Sequence, residues 1–208
     1  MRLGKGDHTS MGTKVLILKG SPRERGNSAL LADAAAEGAR GASAEVEAIY
    51  LHGLRISPCS ACEGCRDPGG CVVDDDMQGL LPKVAAADSI LLATPVYWFT
   101  LSAQLKLCID RWYAFQASGW RELQGTRFGV ILTYGDTDLY TSGAINAIHT
   151  FETMARFLHS PIVGIVHGSL SDVGDVEKHP ELLGKAKELG RLLGTDRRAT
   201  AGSRGLER

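Results

Sequence analysis

The chain has 208 residues, 44% hydrophobic and 23% charged, a balance that suits one soluble globular domain able to bury a core without disulfide staples. Its 23 Lys and Arg against 24 Asp and Glu leave a net charge of −1, so no basic excess exists to bind nucleic acid through counterion release. No apolar run approaches the ~20 residues of a membrane span, and no apolar leader opens the chain, so a reducing cytoplasm and no membrane partner are expected.

Residues 1–13 read as a flexible polar arm, with Met11 just before the first apolar run. Residues 14–194 read as a single domain and 195–208 as a flexible tail with almost nothing to bury. Lys14 to Leu18 is a continuous apolar run, the mark of a strand covered on both faces. From Asn27 to about Arg40, Leu30, Leu31, Ala34, Ala35 and Gly38 recur at helical spacing. Ala44 to Tyr50 alternates as an edge strand should. The stretch from Asp75 to Ala87 predicts a helix, and Ser89 to Ala93 a buried strand. Leu101, Leu105, Cys108 and Trp112 make one helical stripe. Phe128 to Thr133 predicts a strand. Ile145, Ile148, Ala155 and Leu158 mark a long helix, Ile162 to Val166 the last strand, and Glu177 to Leu193 the last helix.

This order is β-α repeated five times. It predicts an α/β fold of three layers, a five-stranded parallel sheet with helices on both faces. In such folds a ligand sits beyond the carboxyl ends of the strands, at the point where the winding reverses. The loops after Leu18, Ala93 and Leu132 are therefore the candidates.

The first of these loops reads Lys19-Gly-Ser-Pro-Arg-Glu-Arg-Gly-Asn-Ser28. Gly20 and Gly26 free the backbone, Ser21, Asn27 and Ser28 are small donors, and Arg23 and Arg25 are cationic. A helix starting at Asn27 would aim its free N–H groups into the loop, which suits a phosphate ester. The pattern is neither G-x-x-x-x-G-K-[ST] nor G-x-G-x-x-G. The plainer alternative is a turn with Asn27 or Ser28 as helix cap. The second loop, Thr94-Pro-Val-Tyr-Trp-Phe-Thr100, places three aromatics at a strand end, where they would wall a flat ring or serve as core or dimer contacts. The third, Thr133-Tyr-Gly-Asp136, offers backbone at Gly135, and its Asp136 is as readily a turn former as anything else.

Gly20-Ser-Pro-Arg23 followed by Gly26-Asn-Ser28 resembles the phosphate loop of the flavodoxin-like NAD(P)H-dependent FMN reductases, a group that includes the iron–sulfur flavoproteins. The resemblance runs from about Lys14 to about Val166. It continues through Thr94-Pro-Val-Tyr-Trp98, Ser102-Ala-Gln-Leu-Lys106 and Ile109-Asp-Arg111. It implies that Ser21, Arg23, Asn27 and Ser28, around Gly26, hold the phosphate of FMN. It further implies that Pro95, Val96, Tyr97 and Trp98 border the isoalloxazine and that Thr133, Tyr134 and Gly135 touch the ring. An oxidoreductase follows, with NAD(P)H as reductant and a small-molecule electron acceptor or redox protein as second substrate, together with a homodimer or homotetramer. Flavin does the redox chemistry, so no catalytic acid or base is assigned.

Cys59, Cys62, Cys65 and Cys71 form C-x2-C-x2-C-x5-C. Three readings stand: a [4Fe-4S] cluster, as the spacing of the iron–sulfur flavoproteins implies, unligated thiols that shape a loop, or zinc. A disulfide framework does not suit a cytoplasmic chain. Cys108, on the apolar stripe, reads as a core thiol. Asp74, Asp75 and Asp76 read as acids at a helix start. Asp110 and Arg111 are adjacent on a helix and are expected to pair elsewhere. The six His show no ligand spacing and read as surface or capping residues.

Overall fold

The computed structural model describes residues 12–67 and 70–195. The expected arm and tail therefore lie outside the described residues, apart from residues 12, 13 and 195. Among the described residues there are six strands: β1 (Lys14–Lys19), β2 (Glu45–Tyr50), β3 (Ser89–Tyr97), β4 (Thr100–Leu101), β5 (Arg127–Tyr134) and β6 (Ile162–Ser169). Five α-helices alternate with them: α1 (Asn27–Gly41), α2 (Met77–Ala86), α3 (Ala103–Asp110), α4 (Ala144–Phe157) and α5 (Pro180–Gly194). The sheet order is β2-β1-β3-β5-β6, all parallel, with β4 an antiparallel stub on β3. This is the doubly wound flavodoxin-like order, in which the winding reverses between β1 and β3.

Strand alternation divides the core in two. Leu16 and Leu18 of β1, Ile90 and Leu92 of β3, and Phe128, Val130 and Leu132 of β5 enter one layer with Leu80, Val84, Leu105 and Phe151 of α2, α3 and α4. Val15 and Ile17, Leu91 and Ala93, and Ile131 point the other way, against α1 and α5. The continuous apolar runs are the consequence, because each strand feeds both layers. Each fully buried aliphatic side chain contributes roughly 1.5–3 kcal/mol against exposure.

The boundaries differ from the sequence reading in instructive places. β3 continues four residues past Ala93, through Pro95. The proline is tolerated because β1 has already ended, and at this level β3 pairs in the parallel sheet with β5 alone. Leu101 belongs to β4, and α3 starts only after the cap residue Ser102. After Asp110 the chain tightens into a 3₁₀ segment, Arg111–Ser118. The last helix begins at Pro180, a favoured first position, not at Glu177, which lies in a short 3₁₀ turn. Among the described residues, no helix is long and apolar enough to cross a membrane.

Helices α1 and α5 touch backbone to backbone. A Cβ on Gly190 would lie 1.8 Å from the carbonyl oxygen of Ala35, and one on Gly38 1.8 Å from that of Lys187. Ala35 and Ala39 complete this small-residue seam. Gly190→Ala forces the helices apart and is expected to cost about 1–3 kcal/mol by overpacking. Urea unfolding of the two proteins measures the difference, and an unchanged midpoint contradicts the seam.

Candidate functional site

The reversal between β1 and β3 leaves strand ends that no crossover helix covers, and three loops are knitted there. Gly20 N–H donates to Ala93 O at 2.7 Å, tying the loop after β1 to β3. The buried Ser102 hydroxyl donates to Gly20 O at 2.7 Å and accepts from Leu105 N–H at 3.4 Å, while Ser102 N–H donates to Thr94 Oγ1 at 3.0 Å. One serine thus caps α3 and binds both strand ends to it.

Beside this knot lies a cleft of about 520 Å³, counting its open mouth. Ser21, Arg23, Gly26, Asn27 and Ser28 line it from the first loop, Pro95, Val96 and Tyr97 from the second, and Thr133, Tyr134 and Gly135 from the third. The structure therefore gathers in one place every cofactor-site residue expected from the sequence except Trp98. Trp98 sits at the turn between β3 and β4 with φ 47° and is 91% exposed; Phe99 follows at φ 68°. Both backbones are left-handed and strained for non-glycine residues. The turn is held by Asn146 Nδ2, which donates to Phe99 O at 3.1 Å.

The first loop is built to present backbone donors. Ser21 Oγ accepts from Arg23 N–H at 3.0 Å, and Tyr50 hydroxyl donates to Pro22 O at 2.6 Å. A Cβ on Gly26 would meet Ser21 Oγ at 2.8 Å and Arg23 O at 3.2 Å, so a larger residue would push the Ser21 side chain aside. Gly26 is also the cap of α1; no side chain caps that end and no acidic residue lies in the first turn. The N–H groups and positive dipole end are left to an outside anion. The two arginines part company: Arg25 pairs with Glu177 at 3.3 Å, while Arg23 lines the cleft. The Asn27 side chain is engaged with the chain itself, donating to Asp172 O at 2.8 Å and accepting from Val176 N–H at 3.2 Å.

Those contacts expose what sequence reasoning missed. Leu170, Ser171, Asp172 and Val173, after β6, form the fourth wall. Leu170 N–H donates to Tyr134 O at 2.7 Å and the Ser169 hydroxyl to Asp136 O, zipping this loop to the third. The signal was its place after a strand, hidden because the strand runs to Ser169 and not to Val166. The hydroxyl of Tyr134 meets His167 Nδ1 at 3.1 Å, a pairing that no spacing announced. Asp136 accepts from Thr137 N–H at 2.7 Å, the turn role expected of it.

The four-cysteine loop lies elsewhere, over α2 and the 3₁₀ segment after α3. Cys59 and Cys62 are exposed, Cys65 and Cys71 half-buried. Burial first, and then the nearby charges of Cys71, Cys59 and Cys62, push the Cys65 thiol up. The Gly64 N–H, the Ser60 hydroxyl and the Arg111 charge hold Cys62 below its ordinary value. Among the described residues, no group of three or more His, Cys, Asp or Glu converges on a point that would hold a single metal ion. Cys108 is fully buried, and burial pushes its thiol up to about 12, as suits a core residue.

Asp75 corrects the reading of the three acids. It caps Met77 N–H at 3.0 Å, but it also accepts from Ser57 N–H at 2.8 Å and from Arg111 at 2.6 and 3.2 Å. Asp76 accepts from Arg55 N–H at 2.7 Å. These carboxylates close the base of the cysteine loop and do more than complement a helix dipole. Burial works to raise the Asp75 carboxyl, but hydrogen bonds from Arg111, Ser57 and Met77 outweigh it and hold the group below the usual range. A depressed folded value gives stability that is present above the unfolded carboxylate range, near pH 4, and is lost as pH falls through the folded value. Urea midpoints of the wild type and Asp75→Asn should therefore differ at pH 7 and converge at pH 3. Parallel profiles contradict the clamp.

A model of the NADPH-dependent FMN reductase family matches residues 13–170. An iron-sulfur flavoprotein of Methanosarcina thermophila is 40% identical over 98 residues, 47% of this chain and 51% of that protein. The match thus spans about half the length of that relative. An iron-sulfur flavoprotein of Archaeoglobus fulgidus is 30% identical over 178 residues, 84% of this chain and 79% of the other. Among solved structures, the Trp repressor binding protein from Bacillus subtilis is 26% identical with a TM-score of 0.63, over 85% of this chain and 99% of that one.

Proposed function

The chain belongs to the NADPH-dependent FMN reductase family, and from that premise we propose that it binds FMN in the cleft at the strand ends and acts as an NAD(P)H-dependent oxidoreductase. The observation that carries this reading is an uncapped α1 N-terminus beneath a tight glycine-serine loop, in the same cleft as the ends of β3 and β5. The donor set fits a phosphate monoester: first-turn N–H groups, the Ser21 and Ser28 hydroxyls, and the Arg23 charge. Asn27 contributes its backbone N–H, while its side chain holds the fourth wall in place.

When bound, FMN would supply the redox chemistry, hydride transfer through its N5 between NAD(P)H and a second acceptor in ping-pong order. The protein's own part is position and exclusion of water. Pro95, Val96 and Tyr97 form the wall beside the ring. Thr133, Tyr134 and Gly135 offer backbone to its polar edge, and the loop from Leu170 to Val173 closes the far side. Quinones, free flavin and similar small planar molecules suit the open mouth as acceptors. The exposed rim of Tyr97, Trp98 and Phe99 supports a second copy packing across that mouth.

The cysteine loop favours a second reading, that of an electron-carrying iron–sulfur flavoprotein. Four free thiols on one loop are the right donors in kind and number for a [4Fe-4S] centre on Cys59, Cys62, Cys65 and Cys71, and the two iron-sulfur flavoproteins described above carry that name. Such a centre, when bound, supplies one-electron transfer.

Arg23→Ala tests the phosphate loop. Loss of one charge-assisted contact of about 1–3 kcal/mol should weaken FMN binding roughly 5- to 150-fold. At saturating FMN, NADPH oxidation with a quinone acceptor should return close to the wild-type rate. An unchanged FMN dissociation constant would defeat the assignment.

A further inference from the structure

Arg111 is almost wholly buried, at 2% exposure. Its guanidinium donates to the Asp75 carboxylate at 2.6 and 3.2 Å, to Ser57 O at 2.9 Å, and to Cys71 Sγ at 3.1 Å. Its Nε has no hydrogen-bond partner. A buried ion pair with one donor unmet is a poor way to gain stability, because apolar residues of the same volume would do as well or better. What the pair does achieve is to bring a full positive charge and an N–H against one particular sulfur. The same 3₁₀ segment reaches a second sulfur, since Tyr113 O accepts from Cys65 Sγ at 3.8 Å. Cys59 and Cys62 lie on the exposed part of the loop, and Cys62 sits between left-handed residues at Ala61 and Glu63.

We propose that Arg111 is a positioning residue for an iron–sulfur centre that the four thiols would hold: it fixes the Cys71 sulfur and would set the reduction potential of the centre upward. The proposal rests on the iron–sulfur reading above. Reduction adds negative charge to the centre and its sulfurs. A neighbouring cation and an N–H donor to a ligating sulfur stabilise that reduced form. Asp75 moderates the effect, because its carboxylate partly cancels the guanidinium charge. Helix α3 gives the residue its place, running from Ser102 at the strand-end knot to Arg111 under the cysteine loop.

The test uses the full chain, purified anaerobically and reconstituted with ferrous iron and sulfide. Iron content and flavin absorbance are measured on each sample, and the midpoint potential of the iron-dependent band is titrated. Wild type is compared with Arg111→Lys, Asp75→Asn and the double variant Arg111→Met/Asp75→Asn. The expected shifts have opposite signs. The double variant moves to a more negative potential and Asp75→Asn alone to a more positive one, while Arg111→Lys stays near wild type because the charge remains. A merely structural role lowers melting temperatures and leaves the potentials together, and that result overturns the proposal. So does a negative shift in Asp75→Asn, which stands as the deciding measurement if the double variant does not fold. A wild type that retains flavin but no iron also overturns it, and leaves the FMN reading intact. A wild type that takes up iron but no flavin does the reverse.

Discussion

Strand order reverses between β1 and β3, and the rest of the molecule is arranged around that reversal. Helices α1 and α5 cover one face of the sheet and α2, α3 and α4 the other, so the strand ends at the reversal are left to the loops that follow them. Buried polar groups must be satisfied, and the chain does this with few atoms. Gly20 N–H and the Ser102 side chain and N–H join β1, β3 and α3. Beside this knot the N-terminus of α1 has no side-chain cap and no acid in its first turn. An anion is the natural complement to that end.

Most of the fold was legible because it depends on local periodicity. Val15 and Ile17 against Leu16 and Leu18 feed two core layers, and only a strand covered on both faces needs an unbroken apolar run. The loops after β1, β3 and β5 followed from topology alone. The elements that escaped are those fixed by distant partners. β3 runs through Pro95 because β1 stops short, which is a fact about another strand. β4 has two residues, too few for any period to show. The fourth wall, Leu170 to Val173, was hidden by a strand end placed three residues early. Asp75 looked like a helix-start acid because its partner Arg111 lies 36 residues away in sequence. No pattern within the helix carries that information.

The cysteine loop and the strand-end cleft are separate sites linked by one short helix. Ser102 at its start belongs to the knot, and Arg111 just past its end holds the base of the cysteine loop. An eight-residue helix rises about 12 Å. The flavin reading does not depend on this link, because nothing in the cleft draws on the cysteines.

The central claim is that the cleft recognises a flavin through its phosphate. The most direct measurement is a fluorescence titration of the flavin-free protein with FMN and, in parallel, with riboflavin, which has the same ring and no phosphate. The account predicts saturable quenching at one FMN per chain and at least about tenfold weaker binding of riboflavin, the equivalent of 1.4 kcal/mol. Equal affinity for the two, or no quenching by FMN, would contradict it.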